Sequence, residues 1–431
     1  GHLRMAEFDG GRASGSILSG EANGGRHRPE VLYVTHHLPW PQHSGGRIRE
    51  AQLLSRLAHR FTIEVIAVSK TPDRDCAAVN LAREAGVEPR LFAATPGPWL
   101  AGPLAHRHGS KAASNYIARK LQSSPAVVHV EGHYLFHLLP EFARRRAIVV
   151  EHNVESTLLS QAAETTRSLG GRATLFGQAL RTRRTERAVW RMARFLGAIT
   201  DEDADTIGCC APHADIRLLP NGCDHIERAV RPNGSASGSH LLLVGNFSYG
   251  PNLDAARVMA TGIFPAVVSQ HPDARLTVVG ADPPAWLVRA ASADCRITVA
   301  GWVSNLTACL DSADVVVCPL RIGGGVKVKI LEALQRGKAI VTTPVGAQGL
   351  PRTRDCPVVV CEAPAALAHA CVRLLACPEA RREQERRALA AASSLPTWDE
   401  AADALANCWT ALTETTVSAG GRAPRRTGRA E

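Results

Sequence analysis

The most constraining feature of this sequence is a repeated alternation between short apolar runs and longer segments of helical periodicity. Val31–Thr35 and Phe61–Val68 are short apolar runs, and the apolar residues of Arg47–Leu57 between them recur at helical spacing. Such runs predict buried strands, and the spacing of three and four residues predicts a helix. Strands that alternate with helices predict a parallel sheet with right-handed crossovers, so we expect an α/β protein.

The alternation continues and then restarts after a polar gap. Before the gap, a long helix is predicted at Leu175–Arg194, with strands at Val127–Val130, Ala147–Glu151, Leu196–Thr200 and Ile216–Leu219. After it, strands are predicted at Leu241–Gly245, Arg275–Gly280, Ile297–Ala300, Asp314–Pro319 and Ala339–Thr342. The helices predicted there are Asn252–Val268, Val303–Ser312, Val326–Arg336 and Trp398–Thr413.

The length and the gap predict two domains. At about 150 residues per domain, 431 residues correspond to two or three domains. The Gly/Ser-rich stretch Pro232–His240 has the composition of a linker. The predicted division is a disordered segment 1–28, an N-terminal domain 29–225, a linker 226–240, a C-terminal domain 241–395, a helix 396–416 that crosses back to the N-terminal domain, and a disordered basic tail 417–431.

The net charge of +10 leaves nucleic acid, an anionic membrane and a phosphorylated small molecule open as partners. Aromatic residues make up only 5% of the chain, so few side chains are available to stack on the bases of single-stranded nucleic acid. No apolar run reaches the roughly 18 residues of a membrane span. The twelve cysteines are unclustered and Gly1–Arg28 lacks a signal-peptide pattern, so we expect a cytoplasmic protein.

The segment Asp314–Leu350 carries the strongest chemical signal. A predicted strand is followed by a glycine loop and then by a helix, and the loop holds Gly323, Gly324 and Gly325. Glycines allow backbone N–H groups to approach a ligand, and a helix N-terminus favours negative charge. Arg321, Lys327 and Lys329 flank this helix start, where cations oppose the helix dipole unless an anion is present. The pattern predicts a phosphate guest, and Glu332 further along the helix suits a ribose diol.

At this point the sequence resembles a known family. The glycine-loop segment is similar to the nucleotide-sugar-binding segment of family 4 glycosyltransferases, which have the two-domain GT-B fold. Other segments that resemble family motifs occur in the same order: Ser44–Arg49 (SGGRIR), Val150–Ser156 (VEHNVES), Leu219–Asp224 (LPNGCD), Leu241–Leu253 (LLLVGNFSYGPNL) and Gly301–Asp314. The likeness covers roughly residues 30 to 415, and it implies two Rossmann-like domains that face each other across a cleft.

The resemblance implies roles on the donor side. Glu332 matches the second glutamate of the family's E-x7-E motif, which binds the ribose, whereas the first glutamate is replaced by Gly324. Many relatives carry Arg and Lys after the first C-terminal strand; here Gly245 and Asn246 begin a loop that has neither. We therefore expect Arg321 and Lys329 to bind the diphosphate and Lys327 to flank it. The glycine-loop amides are expected to contact the sugar or the distal phosphate.

On the acceptor side, His152 matches a position where relatives contact the donor sugar and the acceptor. Asn153 follows it, and either Asn153 or Glu155 could instead cap the next helix. His129 and Glu131 also end a predicted strand and are expected to face the acceptor. The pattern His129-x-Glu131-x-His133 is also compatible with a metal site, but the resemblance implies catalysis without metal.

The loop before the first helix is the last part of the predicted site. Gly45 and Gly46 look like the family's flexible loop, which closes near the phosphate and the acceptor; an ordinary strand–helix turn is the alternative. Arg49 lies early in the following helix, an unfavourable place for a cation unless an anion is near. Asn221 and Gly222 are expected to shape the hinge.

The resemblance implies transfer of a sugar from a nucleoside diphosphate to an acceptor hydroxyl or amine, with retention and without cofactor. Arg321, Lys329 and His152 are the predicted catalytic residues, and the attack is expected on the front face because no carboxylate nucleophile is evident. Other GT-B chemistry, namely a phosphorylase or a nucleotide-sugar epimerase, is one alternative. A non-catalytic nucleotide- or nucleic-acid-binding protein is another, although no nucleic acid is expected.

The arginine-rich helix suggests a further partner. Arg181–Arg194 could dock on an anionic membrane to reach a lipid-linked acceptor, with Trp190 and Phe195 assisting. A soluble acceptor, such as a natural product or a glycan, fits the sequence equally well.

Overall fold

A computed structural model describes residues 28–97, 103–123, 127–230, 238–350 and 356–420. The predicted disordered segment 1–28 therefore lies almost wholly outside the described residues, as do most of Pro232–His240 and residues 421–431. In the described residues of its first half, the chain forms seven strands: β1 Glu30–Thr35, β2 Thr62–Ser69, β3 Glu88–Ala93, β4 Val127–Glu131, β5 Ala147–Glu151, β6 Phe195–Ala198 and β7 Asp215–Leu218. Its helices are α1 Gly45–Leu57, α2 Pro72–Cys76, α3 Val79–Glu84, α4 Pro103–Arg107, α5 Lys111–Ser123, α6 Glu141–Arg144, α7 Glu155–Thr165, α8 Leu169–Met192 and α9 Asp201–Cys210.

The seven strands form one parallel sheet in the order β3-β2-β1-β4-β5-β6-β7. Alternate residues of each strand point to opposite faces, so β1 buries Tyr33 in one cluster and Val34 in another. Helices cover both faces, which is why these strands read as continuous apolar runs in the sequence.

The second half contains a six-stranded parallel sheet in the order β10-β9-β8-β11-β12-β13. Its strands are β8 His240–Val244, β9 Arg275–Val279, β10 Ile297–Gly301, β11 Val315–Cys318, β12 Ala339–Thr342 and β13 Val359–Val360. Its helices are α10 Gly250–Val258, α11 Phe264–Gln270, α12 Ala285–Ala293, α13 Leu306–Ser312, α14 Val328–Gln335, α15 Pro364–Ala376 and α16 Pro378–Ala392. Both faces of this sheet are also buried.

The last helix, α17, spans Trp398–Gly420 and returns to the first sheet. It packs against α1 and β4, and Trp398, Leu405 and Trp409 lie in the same buried cluster as Tyr33. The helix was predicted to end at Thr413. It continues through Gly420, so the first residues of the tail expected to be disordered are helical.

Two other helices differ from the prediction for identifiable reasons. The single helix predicted at Asn252–Val268 is interrupted by a π-helical turn at Met259–Ile263, which ends two residues before Pro265, a residue with no backbone N–H to donate. The helix predicted from Val326 begins at Val328, because Gly325 has a φ of 59° and Lys327 is extended. Lys327 is therefore the N-cap residue rather than part of the first turn.

Candidate functional site

The candidate site lies where the carboxyl ends of the two sheets approach each other. In each sheet the strand order reverses once, between β1 and β4 and between β8 and β11, and ligands of such sheets bind at this switch point. Glu131 ends β4, and the loop after β11 carries Arg321 and the glycines. The predicted donor and acceptor residues therefore belong to the two halves of one crevice.

The glycine loop, Gly323–Gly325, packs directly against the turn after β5. The Gly323 N–H donates to Gln161 Oε1 at 2.9 Å. The Asn153 amide nitrogen, in the orientation that satisfies both groups, donates to Gly324 O at 2.9 Å. A Cβ at Gly325 would lie 2.6 Å from His152 O, so only glycine allows this approach. Asn153 thus joins the two halves and does not cap α7, whose N-cap residue is Val154.

Two helix N-termini converge beside this loop. A Cβ at Gly45, the first residue of α1, would lie 3.3 Å from Val328 Cγ2, and Val328 is the first residue of α14. A Cβ at Gly46 would lie 3.7 Å from His152 Nδ1. The positive ends of two helix dipoles therefore face the same volume, which favours an anion there.

Arg321 and Lys329, the predicted diphosphate ligands, each have a protein partner. Arg321 Nε donates to Asp254 Oδ2 at 2.9 Å, and its second nitrogen also bonds Asp254. Lys329 Nζ donates to Asn252 Oδ1 at 2.7 Å, and burial lowers the pKa of Lys329. An anion beside Lys329 would favour its charged form.

The loop after β8 is connected to Lys329 through Asn252. Asn252 Nδ2 donates to Asn246 O at 2.9 Å. A Cβ at Gly245 would lie 3.1 Å from the Asn252 side chain, which explains the glycine at this position. Gly245 and Asn246 are thus held next to Lys329, although they supply no charge.

The Lys327 side chain folds back onto the glycine loop. Its Nζ donates to Gly324 O at 3.0 Å and also to Gly325 O, and the side chain is buried. Burial lowers the pKa of Lys327 to about 8. Lys327 thus braces the glycine loop from within, and its expected place beside the diphosphate stays a prediction.

His152 is held by a buried carboxylate. Its Nε2 bonds Glu131 Oε2, and Nδ1 faces Gly46 at the start of α1. Burial would lower the pKa of His152, but the Glu131 carboxylate outweighs burial and raises it. Burial would likewise raise the pKa of Glu131, yet His152 and His129 hold it well below its usual range. Glu131 therefore remains ionised and orients the imidazole.

The residues of the possible metal motif separate in the structure. His129 Nε2 bonds Glu131 Oε1 at 2.8 Å, whereas His133 Nδ1 lies 3.2 Å from Glu151 Oε2. The Glu151 carboxylate raises the pKa of His133 to about 9, against the opposite effect of burial. Among the described residues, no three His, Cys, Asp or Glu side chains form a group that could hold a metal ion.

Arg49 has partners other than an anionic ligand. It is buried, and its Nη1 donates to Pro220 O at 2.9 Å and to Asn221 Oδ1 at 2.6 Å. Glu131 and Glu50 lie close enough to counter its charge. In this structure protein carboxylates balance the charge of Arg49 near the start of α1, and Arg49 fixes the turn at Pro220 and Asn221.

Glu332 is buried beside the linker. His225 Nε2 lies 2.9 Å from Glu332 Oε1, and the His225 Nδ1 accepts a hydrogen bond from Trp398 Nε1 at 3.0 Å. His225 thus holds one of the two carboxylate oxygens of Glu332. His225 was not singled out in the sequence, because nothing in the residues around it indicates a contact with a helix 107 positions later.

Several other residues of the site were not predicted. Asn252 lies in Leu241–Leu253, and the resemblance of that segment to a family motif is the signal that could have found it. Asp254 and Gln161 carry no pattern of their own. The contact of Asp254 with Arg321 arises only when the second half folds, and that of Gln161 with Gly323 only when the two halves meet. Glu155, which the sequence suggested only as a cap, has a pKa that burial raises to about 7. His133 opposes this rise, and Glu151 and Glu186 add to it.

A cavity of about 490 Å³ opens against the glycine loop. Its walls include Leu158 and Gln161 of α7, Gly323 and Gly324, and the segment after β12 around Val345. This volume lies within the range of small-molecule sites.

The basic helix α8 presents a mixed surface. Trp190 and Phe195 are buried, and the Trp190 indole donates to Glu151 at 2.8 Å, so the expectation that they assist membrane docking is wrong. The exposed apolar side chains of α8 are instead Leu169, Phe176, Leu180 and Met192. No helix in the described part of the chain is long and apolar enough to cross a membrane.

Comparisons with known proteins agree with this architecture. Residues 238–377 match the family model "Glycosyl transferases group 1". A search of curated protein sequences found no match. Among solved structures, sucrose-phosphate synthase from Thermosynechococcus elongatus superposes with a TM-score of 0.64 at 15% identity, covering 90% of this chain and 100% of that one.

Two further structures are similar over nearly their whole length. WaaG, a glycosyltransferase involved in lipopolysaccharide biosynthesis, has a TM-score of 0.62 at 14% identity and covers 89% of this chain and 99% of its own. Anabaena HepE in complex with UDP and glucose has a TM-score of 0.63 at 13% identity, with 89% and 100% coverage. The predicted two-domain GT-B fold is confirmed by these likenesses.

Proposed function

We propose that this protein is a glycosyltransferase that moves a sugar from a nucleoside-diphosphate sugar to an acceptor hydroxyl or amine. The observation that carries the proposal is the convergence of the α1 and α14 N-termini with the glycine loop and His152. The glycine loop and the α14 N-terminus lie within residues 238–377, the segment that matches the glycosyltransferase family model, and α1 and His152 face them from the first half of the chain. Bound UDP and glucose in the similar HepE structure support a nucleotide-sugar donor.

The donor is proposed to lie along the carboxyl edge of the second sheet. Arg321, Lys329 and the α14 N-terminus would bind the diphosphate, and the free oxygen of Glu332 would accept from the ribose. The glycine-loop amides would contact the sugar, in place of the glutamate that Gly324 replaces. Electrostatic stabilisation of a departing diphosphate is the kind of contribution that such a preformed arrangement supplies.

We propose a retaining reaction by front-face attack. The anomeric C–O bond breaks with its electron pair passing to the diphosphate, and the acceptor oxygen forms its bond on the same face. The acceptor proton passes to a diphosphate oxygen. Glu131 is occupied by His152, His129 and Tyr33, which makes it unsuitable as the carboxylate nucleophile of a double displacement. No metal or cofactor is part of this proposal.

The first experiment identifies the donor by binding. A ligand of the native state raises thermal stability, so nucleoside diphosphates and nucleotide sugars are screened by thermal shift. We expect one nucleobase to stabilise the protein and its diphosphate to bind better than its monophosphate. If no nucleotide raises the melting temperature, the proposal fails.

The second experiment defines the reaction. Acceptors from three classes, namely natural products, glycans and lipid-linked glycans, are incubated with the donor so identified. The anomeric configuration of the product, determined by NMR, tests retention. The rate of transfer in the presence of a metal chelator tests metal independence. Dependence on inorganic phosphate would indicate a phosphorylase. Conversion of the donor in the absence of an acceptor would indicate an epimerase.

The surface of α8 leaves a lipid-linked acceptor among the candidates. Exposed Leu169, Phe176 and Leu180 are followed along the helix by arginines, a combination compatible with an anionic membrane surface. Cosedimentation with anionic and neutral vesicles tests this peripheral contact independently of turnover.

A further inference from the structure

Helix α17 places two tryptophan indoles on two histidines of the crevice. Trp398 and Trp409 are fully buried and stand about three helical turns apart, on the same side of the helix. Trp398 Nε1 donates to His225 Nδ1 at 3.0 Å, and Trp409 Nε1 donates to His129 Nδ1 at 3.1 Å. The two contacts have the same chemistry, although the histidines lie in different parts of the chain.

An indole N–H can only donate, so each histidine Nδ1 must accept and carry no proton. The remaining proton of each neutral imidazole is then on Nε2, which donates to a carboxylate. His225 Nε2 donates to Glu332 at 2.9 Å, and His129 Nε2 donates to Glu131 at 2.8 Å. Each tryptophan thereby selects the tautomer that can hold a carboxylate.

The two carboxylates stand on opposite walls of the crevice. Glu332 belongs to α14 on the donor side, whereas Glu131 ends β4 and holds His152. The start of α17 is itself fixed, since Asp224 Oδ1 accepts a hydrogen bond from the backbone N–H of Trp398 at 2.6 Å. A Cβ at Gly222 would lie 2.3 Å from the backbone nitrogen of Trp398, so a glycine at this position allows the turn to approach the start of α17.

We propose that α17 is a positioning element for both substrate walls: Trp398–His225 orients Glu332 for the donor, and Trp409–His129 orients Glu131 and hence His152. The proposal rests on the proposed glycosyltransferase function. It assigns separate effects to two residues of one helix. Loss of ribose recognition weakens donor binding in ground and transition states alike, whereas misorientation of His152 weakens the transition state.

The test is a pair of matched substitutions, Trp398→Phe and Trp409→Phe. Each removes an indole N–H, a loss that corresponds to about fivefold to tenfold in the affected kinetic parameter. Trp398→Phe is expected to raise the donor KM by that factor with little change in kcat, and Trp409→Phe is expected to lower kcat with little change in donor KM. Trp190→Phe is the control, because it removes an equally buried indole that bonds Glu151 directly.

A rescue separates tautomer control from packing. In Trp409→Phe/His129→Gln, the glutamine amide can donate to Glu131 without help from an indole, so kcat is expected to recover relative to Trp409→Phe alone. Single His129→Gln leaves the Trp409 N–H without its acceptor and is expected to remain impaired. Equal changes in kcat and KM in both tryptophan variants, or no recovery in the double variant, would overturn the proposal.

A spectroscopic measurement keeps this outcome distinct from failure of the proposed function. The ¹⁵N resonances of the two imidazoles report which nitrogen carries the proton, whether or not the protein turns over. We expect Nε2–H for His129 and His225 in the native protein, and loss of this fixed tautomer at His129 in Trp409→Phe. Nδ1–H at either histidine overturns the network, whereas absence of nucleotide binding in the native protein refutes the glycosyltransferase assignment alone.

Discussion

At the scale of single residues, the two proposed diphosphate-binding cations are held by neutral or acidic partners before any anion is considered. Arg321 is paired in a bidentate manner with Asp254, and its side chain is 40% exposed. Lys329 is bound by Asn252 and has a lowered pKa because of burial. These contacts preorganise both side chains, which limits the ordering cost when a diphosphate binds.

Arg321→Ala and Lys329→Ala are therefore expected to reduce turnover strongly while the fold is kept. Each removes a charge that would stabilise the departing diphosphate, and loss of one such group costs about 100-fold to 1000-fold in kcat. The measurement is steady-state transfer from the nucleotide sugar, together with circular dichroism to verify folding.

Arg296→Ala is a matched control for this prediction. Arg296 is also 40% exposed and is also paired with an aspartate, Asp294, but it precedes β10 at the amino end of the strand. We expect near-native turnover in this variant. Native turnover in both Arg321→Ala and Lys329→Ala would remove the basis for the proposed diphosphate site.

Glu155 offers a prediction about pH. Burial raises its pKa to about 7 from an ordinary 4.5, so between these values the folded protein binds more protons than the unfolded chain. The free energy of unfolding must then fall as pH rises through this window. Glu155→Gln is expected to match the native protein at pH 5 and to exceed its stability by about 1–2 kcal/mol at pH 8.

The measurement for Glu155→Gln is urea unfolding at both pH values. His133 lies near Glu155 and has a raised pKa of its own, so the comparison is between variant and native protein at each pH. A variant that loses stability at pH 8 would show that ionised Glu155 is favourably bound.

At the scale of elements, the strands that are buried on both faces were predictable from the sequence. Ala147–Glu151 and Ala339–Thr342 were predicted with the bounds that the structure has, because apolar runs identify such strands directly. The edge strand β3 was missed, since it begins with Glu88, Pro89 and Arg90 and therefore lacks a continuous apolar run. Proline is tolerated at a sheet edge, where a ladder hydrogen bond is not needed.

The site was predictable to the extent that its residues belong to one local segment. The glycine loop, Arg321, Lys329 and Glu332 share 12 positions of sequence, and their pattern has a physical meaning on its own. Contacts such as Gly323 with Gln161 or Glu332 with His225 depend on how two sheets meet, and no local pattern encodes them.

Gly325→Ala tests the junction between the glycine loop and α14. Alanine at a φ of 59° costs about 1 kcal/mol, and its Cβ would also lie 2.6 Å from His152 O. We expect a loss of kcat of about tenfold or more, because the α14 N-terminus must shift relative to His152.

Gly301→Ala separates these two effects. Gly301 has a φ of 68°, but a Cβ there has no atom within 4 Å. It should therefore lose a similar amount of stability without the same loss of turnover, as judged by thermal unfolding and steady-state kinetics. Equal kinetic losses in both variants would indicate backbone strain and not the contact with His152.

At the scale of the whole molecule, polar contacts join the two walls of the crevice. Gln161 and Asn153 hold the glycine loop from the first sheet's side, and His225 holds Glu332 next to the linker. A net contribution of about 0.5–1.5 kcal/mol per hydrogen bond makes such a closed arrangement easy to open. Opening is needed because the glycine loop must release Gln161 if its amide is to contact a sugar.

Asn153→Ala/Gln161→Ala is expected to shift the population toward an open crevice. Two hydrogen bonds between the walls are lost, about 1–3 kcal/mol together, while the buried clusters of each sheet are untouched. Small-angle X-ray scattering should show a larger radius of gyration than for the native protein, and saturating nucleotide sugar should reduce it. Ser160→Ala is the control on the same helix, because the Ser160 hydroxyl bonds only Ser156 O within α7. Identical scattering for the double variant and the native protein would mean that the walls are held together by contacts other than these two.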